Sequence, residues 1–308
     1  MTAKSKGSDG PTIVWFRNDL RLADNPALHA AFRRKAPILP IFVLERDNGL
    51  RALGAASRWW LHHSLDKLGA ALKKAGAELR FYEGEAGRIV PELAEASGAS
   101  ALFFNRRYGK SGRDLDETIV NEVEGAGCSV ETFNGRLLFE PWEIETKTGG
   151  PYGVYTPFWK ALQAKGLPDE TLPAHGKLKG ATLPDKPKAT TLDDLGLLPS
   201  KPNWAEGWDD TWDPGEAGAA ARLKAFLKED LTGYDDERNK LASRGTTHLS
   251  PHLRFGEISP RTIVAAVKAA RTKGNGTDAD SFLSEIGDRK STRLNSSHSG
   301  ESRMPSSA

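Results

Sequence analysis

Over the first 135 residues, short apolar, β-branched or aromatic runs alternate with helical patterns, and that alternation leaves few folds open. The runs are Thr12–Phe16, Ile38–Leu44, Glu78–Tyr82, Ala99–Asn105 and Ser129–Phe133. In the longest gap, Trp60, Leu61, Leu65, Leu68 and Leu72 recur at three-to-four-residue spacing and mark one apolar stripe. Asn25-Pro26 reads as an N-cap followed by proline at the first helical position. Strands joined by helical crossovers imply an α/β unit built on a doubly wound parallel sheet.

The segment from Glu140 to Pro214 reads differently. It holds five of the eight tryptophans, frequent Pro and Gly, and the polar stretch Lys177–Lys188. This pattern predicts a long connector that packs through its aromatics. Helical signals resume without strands in Ala219–Leu231, at the cap pair Ser259-Pro260 before Thr262–Arg271, and from about Thr277 through Phe282, Leu283 and Ile286. An all-helical unit is therefore expected from about residue 215. From Asp288 to Ala308 the pattern stops, with seven serines in 21 residues and no periodicity. A structureless natural tail or a foreign, read-through sequence both fit it. The expected division is a disordered leader over 1–10, the α/β unit over 11–140, the connector over 141–214, an incomplete helical unit over 215–287 and a disordered, non-native tail over 288–308.

Bulk composition mainly excludes. No apolar run approaches the ~18 residues of a membrane span, and the polar start of the chain lacks a secretory signal. A single cysteine, Cys128, rules out an internal disulfide framework and points to a reducing, cytoplasmic setting. The net charge of +2 equals the balance of residues 288–308, so residues 1–287 sum to zero and any anionic partner must meet a local patch.

Three stretches invite a functional reading from their residues. Arg17, Asp19, Arg21 and Asp24 follow the first strand, at the sheet edge where ligands bind, and suit either an ion-pair network or a ligand clamp. Gly245, Thr246, Thr247 and Ser250 supply hydroxyls and accessible N–H groups for a pyrophosphate, although an ordinary helix-capping turn has the same composition. Tyr234 and Arg238 share one helix face at i and i+4, with acids between them that offer Arg238 a plain surface ion pair. His62 and His63 show no metal-ligand spacing.

Four stretches, in order, resemble the DNA photolyase/cryptochrome family: Trp15–Leu28 (WFRNDLRLADNPAL), Thr148–Trp159 (TGGPYGVYTPFW), Gly245–Arg261 (GTTHLSPHLRFGEISPR) and Phe282–Gly287 (FLSEIG). The resemblance covers residues 11–287; Asp288 stands where the family pattern has tryptophan. It implies a Rossmann-like first domain and a helical FAD-binding domain, with light-driven splitting of cyclobutane pyrimidine dimers by electron transfer from reduced FAD. It places Tyr234, Thr246, Thr247, Leu249 and Ser250 on the FAD phosphates and ribitol, and His248 there through its backbone. It places Arg238 on the DNA backbone and Glu285 on the damaged pyrimidine. No catalytic acid, base or nucleophile is implied, and no metal.

Asn105–Tyr108 falls in the region that helps hold a second, antenna pigment, folate or deazaflavin, but Ser111 and Gly112 do not reproduce the Asn-Glu pair of folate-binding members. UV-damaged DNA is the implied partner, with no membrane, and the chain is expected to be a monomer. Other classes remain: a cryptochrome-type blue-light receptor, a (6-4) photoproduct enzyme, or an unrelated nucleotide-binding α/β protein with a helical module.

Overall fold

The computed structural model describes residues 10–295, apart from 48, 183, 241, 243 and 244. Strands β1 (Thr12–Phe16), β2 (Ile38–Glu45), β3 (Arg80–Gly84), β4 (Ala101–Asn105) and β5 (Ser129–Phe133) form one parallel sheet in the order β3-β2-β1-β4-β5. The predicted third run starts two residues early, because β3 pairs with β2 only from Arg80, opposite Ile41. Helices α1 (Pro26–Arg33), α2 (Ala55–Ala75), α3 (Ala86–Ala96) and α4 (Lys110–Gly125) make the crossovers. The Asn25 side chain caps α1 by accepting from Leu28 N at 3.2 Å.

Side-chain alternation along β1 gives the sheet a core on each face. Val14 and Phe16 pack with Leu28, Leu65 and Leu72 from α1 and α2. Ile13 and Trp15 pack with Ile89, Leu93, Ile119 and Val123 from α3 and α4. Burying each such aliphatic side chain contributes ~1.5–3 kcal/mol, so the two layers supply most of what holds this unit together. No described helix is long and apolar enough to cross a membrane.

The connector docks as its aromatics predict. Trp208 and Trp212 lie edge-on to Trp59 and Trp60 of α2, with ring centroids 5.3 and 5.5 Å apart. Its own helix, α5 (Tyr155–Lys165), instead joins the helical unit, where Tyr155 donates to the main-chain oxygen of Ser284. That unit comprises α6 (Glu216–Glu229), α7 (Tyr234–Glu237), α8 (Ser250–Phe255), α9 (Pro260–Ala270) and α10 (Gly276–Asn295). Leu223, Phe226, Leu253, Ile263 and Phe282 fill its core. Ser259 caps α9 by accepting from Thr262 N at 3.0 Å.

The last helix differs from the sequence expectation, which breaks it after Gly287. It continues to Asn295, and no glycine or proline occurs between Asp288 and Asn295 to stop it. The remainder of the expected tail, 296–308, and residues 1–9 of the expected leader lie outside the described residues.

The turn after β1 fastens the two units. Arg21 donates to the carbonyl of Gly256 at 2.8 Å, and Leu20 N donates to the carbonyl of Phe255 at 3.1 Å. Asp24 pairs with Arg261 at 3.1 Å, while the Glu216 carboxylate accepts from Leu22 N and Ala23 N. Gly256 has φ +67°, and a Cβ there would lie 2.1 Å from the Asn18 carbonyl oxygen, so this approach requires glycine.

Candidate functional site

Strand order reverses between β1 and β4, and in doubly wound sheets the crevice at that point is the usual ligand site. Here the protein fills it. Arg17 donates to Asp116 Oδ1 at 2.6 Å, and Asn105 Nδ2 donates to Asn25 Oδ1 at 2.9 Å and to Asp19 Oδ2. The Arg17 guanidinium lies over Trp15 and Phe104, 4.5 and 4.7 Å from the ring centroids. Burial pulls its pKa below the usual value despite the opposing charge of Asp116. The turn is thus an interior polar network, the structural one of the two readings its residues allowed.

An open cavity of about 340 Å³ lies beside it, where β4 ends and the chain leaves β5. Arg106, Tyr108, Glu140, Trp142, Tyr152 and Phe158 are among its walls. Arg106 donates to Glu140 Oε1 at 2.6 Å and Tyr108 donates to Oε2 at 3.0 Å. Burial, and then the Glu140 charge, hold the Tyr108 phenol well above its ordinary value. Trp142 is 60% exposed, with the Arg106 guanidinium 5.7 Å from its ring centroid. Flat aromatic walls beside a charged, hydrogen-bonding corner suit a planar conjugated ligand. The stretch Asn105–Tyr108 does contribute to a cavity, whereas Ser111 and Gly112 do not line it.

The predicted phosphate residues gather at the other end of the molecule. Tyr234 is buried against Phe226 and Phe282, with centroids 5.5 and 5.3 Å away. Its phenol is pushed up by burial and then by the charge of Glu285. Leu249 is buried in the same core and pins the loop, while Thr246, His248 and Ser250 are exposed. Thr247 Oγ1 accepts from Leu249 N at 3.3 Å. His248 adopts φ +51°, and its ring lies edge-on to Trp212, 6.2 Å away. A Cβ on Gly245 would sit 2.6 Å from Glu237 Cβ, so only glycine lets this loop close on α7.

Arg238 and Glu285 come together as an ion pair, and Asp235 lies 3.7 Å from the same guanidinium. The hydrogen bond that Arg238 donates to Glu285 holds its pKa above the usual value. The geometry therefore shows the plain ion pair, but places both residues on one surface next to Tyr234.

Sequence reasoning missed a buried cluster between the units. Glu257, 1% exposed, accepts from Trp60 Nε1 at 2.9 Å and from Ser64 on α2, and its other oxygen meets His252 Nδ1 at 2.5 Å. Trp60 read as one more position of an apolar stripe, and only its indole N–H hinted at a polar partner. Among the described residues no group of metal-ligating side chains gathers.

Fold and site together define a two-unit α/β-plus-helical protein with a polar loop on its helical half. Residues 12–177, more than half of the chain, match the DNA photolyase family, and the chain belongs to that family. It is 42% identical over 277 residues to a deoxyribodipyrimidine photo-lyase of Agrobacterium fabrum, covering 90% of this chain and 57% of that protein. It is 33% identical over 297 residues to Cryptochrome-2 of Arabidopsis thaliana, covering 92% and 48%. The crystal structure of a bacterial class III photolyase from Agrobacterium tumefaciens superposes with a TM-score of 0.87 at 39% identity, covering 97% of this chain and 61% of that one. The chain spans about half the length of the curated relatives it matches.

Proposed function

We propose that the whole protein containing this chain is a deoxyribodipyrimidine photo-lyase that splits cyclobutane pyrimidine dimers in UV-damaged DNA in a light-dependent reaction. The observation that carries this reading is the higher identity to the Agrobacterium photo-lyase than to the plant cryptochrome. Bound FAD would supply photochemical one-electron transfer.

The residues present fit its phosphate end. Gly245 draws the loop onto α7 and leaves Thr246 and Ser250 facing outward, while Leu249 anchors it from below. Thr246, Thr247 and Ser250 would offer hydroxyls to the phosphates, His248 its backbone N–H, and Tyr234 a neutral phenol beside them. Arg238 would exchange Glu285 for a DNA phosphate. That contact sets register without reading sequence, and the freed Glu285 carboxylate would accept from a pyrimidine N–H. The dimer would leave the stack to reach this surface, at a cost lowered by its poor pairing. The cavity at Trp142 would hold the second pigment, folate or deazaflavin, with stacking on its aromatic walls. A reducing, cytoplasmic setting and a monomer complete the reading.

The test uses the product of the whole gene, an oligonucleotide carrying UV dimers, and blue light. Light-dependent loss of dimers is expected. A flavin that responds to light while the dimers persist would favour the cryptochrome class.

A further inference from the structure

At the amino-terminal edge of the sheet, opposite the turn that docks the helical unit, lies a shallow cavity of about 420 Å³. Its rim carries Arg33, Lys35, Lys177 and Lys179, all exposed, and no acidic side chain lines it. None of the four is ion-paired among the described residues. Arg33 ends α1, where a cation complements the helix dipole. The other three have no such local reason. Lys177 and Lys179 come from the connector, which runs beside β2: Ile38 N donates to the Lys179 carbonyl at 2.7 Å, and Ala181 N donates back to Ile38 at 2.9 Å. In this extended stretch residues two apart share a side, so both lysines face the cavity while Leu178 packs on the sheet core. Lys35 occupies a left-handed position, φ +60°, that glycine or asparagine would fill more easily.

The floor is apolar. Phe32, 38% exposed, and Ile38 line it, and His175 stacks on one face of Phe32 at 3.8 Å and 11°. Burial and then the neighbouring His29 lower the His175 pKa, so the ring is neutral at neutral pH and adds aromatic surface rather than charge.

We propose that this edge binds single-stranded DNA, its phosphates on the four cations and an unstacked base on Phe32. An exposed aromatic inside an unopposed cationic rim is how sequence-independent strand binders work. A duplex, with its bases stacked inside, has nothing to offer Phe32. This site is separate from the surface at Arg238 and does not depend on the flavin reading.

Binding of a short oligothymidylate to the 308-residue chain, followed by fluorescence anisotropy across salt concentrations, tests it. Lys177→Glu/Lys179→Glu is expected to weaken binding at least tenfold and to reduce the salt slope by about 1.4, two single-strand phosphates' worth. Phe32→Ala is expected to weaken it roughly tenfold with an unchanged slope. Lys35→Gly suits the backbone and removes a charge, so it should lose affinity while its melting temperature holds or rises. Equal binding by the double variant and the parent would overturn the proposal, as would saturable binding of ATP or inorganic phosphate with none of the strand.

Discussion

The sheet unit and the helical unit solve the same problem in opposite ways. The sheet buries apolar side chains on both faces and closes its own ligand crevice with Arg17, Asn105 and Asp116. The helical unit has one core, leaves its polar loop at Thr246–Ser250 facing out, and relies on the sheet unit for several of its polar partners. The seam is reciprocal, since Leu20, Leu22 and Ala23 of the sheet unit donate to oxygens of the helical one, but the helical unit, with a single core, depends more on its neighbour to stay folded.

The sharpest way to break that contrast is to remove Glu257. Glu257→Ala strands the Trp60 indole N–H, the Ser64 hydroxyl and His252 in a dry interface, at a cost of about 3 kcal/mol. Urea unfolding followed by tryptophan fluorescence should show the helical unit melting first, with Glu257→Gln milder. A single unshifted transition in Glu257→Ala would mean that the interface does not hold the helices.

A smaller effect is expected on the open surface. In the whole-gene product, Arg238→Ala should weaken binding to damaged and undamaged duplex alike and lower the salt slope by about one. Binding that stays intact while dimer splitting falls would move Arg238 from backbone contact to the chemistry.

The smallest effect belongs to the sheet side. The folded state raises the Tyr108 pKa above its ordinary value of 10.0, so it favours the neutral phenol. The stability this contributes is fully present below that value and is lost as the pH rises beyond it toward the higher folded value. Tyr108→Phe should therefore flatten the alkaline fall in a denaturation series, and should lower the plateau at neutral pH by about 1 kcal/mol through the lost hydrogen bond to Glu140. An alkaline limb identical in the two proteins would show that another group titrates there.

The sheet was legible because each element declared itself locally. β1 and β5 match the predicted ranges to the residue, and Asn25 and Ser259 cap the helices they precede. A phosphate role for Gly245–Ser250 rests on the resemblance alone, since the glycine, threonines and serine equally describe a cap. What did not read through depends on chain segments far apart in sequence. Glu257 finds Trp60 across 197 residues, and Tyr155 finds Ser284 across 129. The cationic rim around Phe32 forms only because Lys177 and Lys179 return beside it. No periodicity within a window carries such information.

On the proposed function, the loop following Gly245 would receive the phosphates of FAD. Thr246 is exposed, so Thr246→Glu can place a negative charge there without disturbing the core. In the whole-gene product, purified and desalted, flavin absorbance per protein should be near one for the parent and largely lost in Thr246→Glu, with an unchanged melt of the sheet unit. Near-stoichiometric flavin in Thr246→Glu would contradict the account.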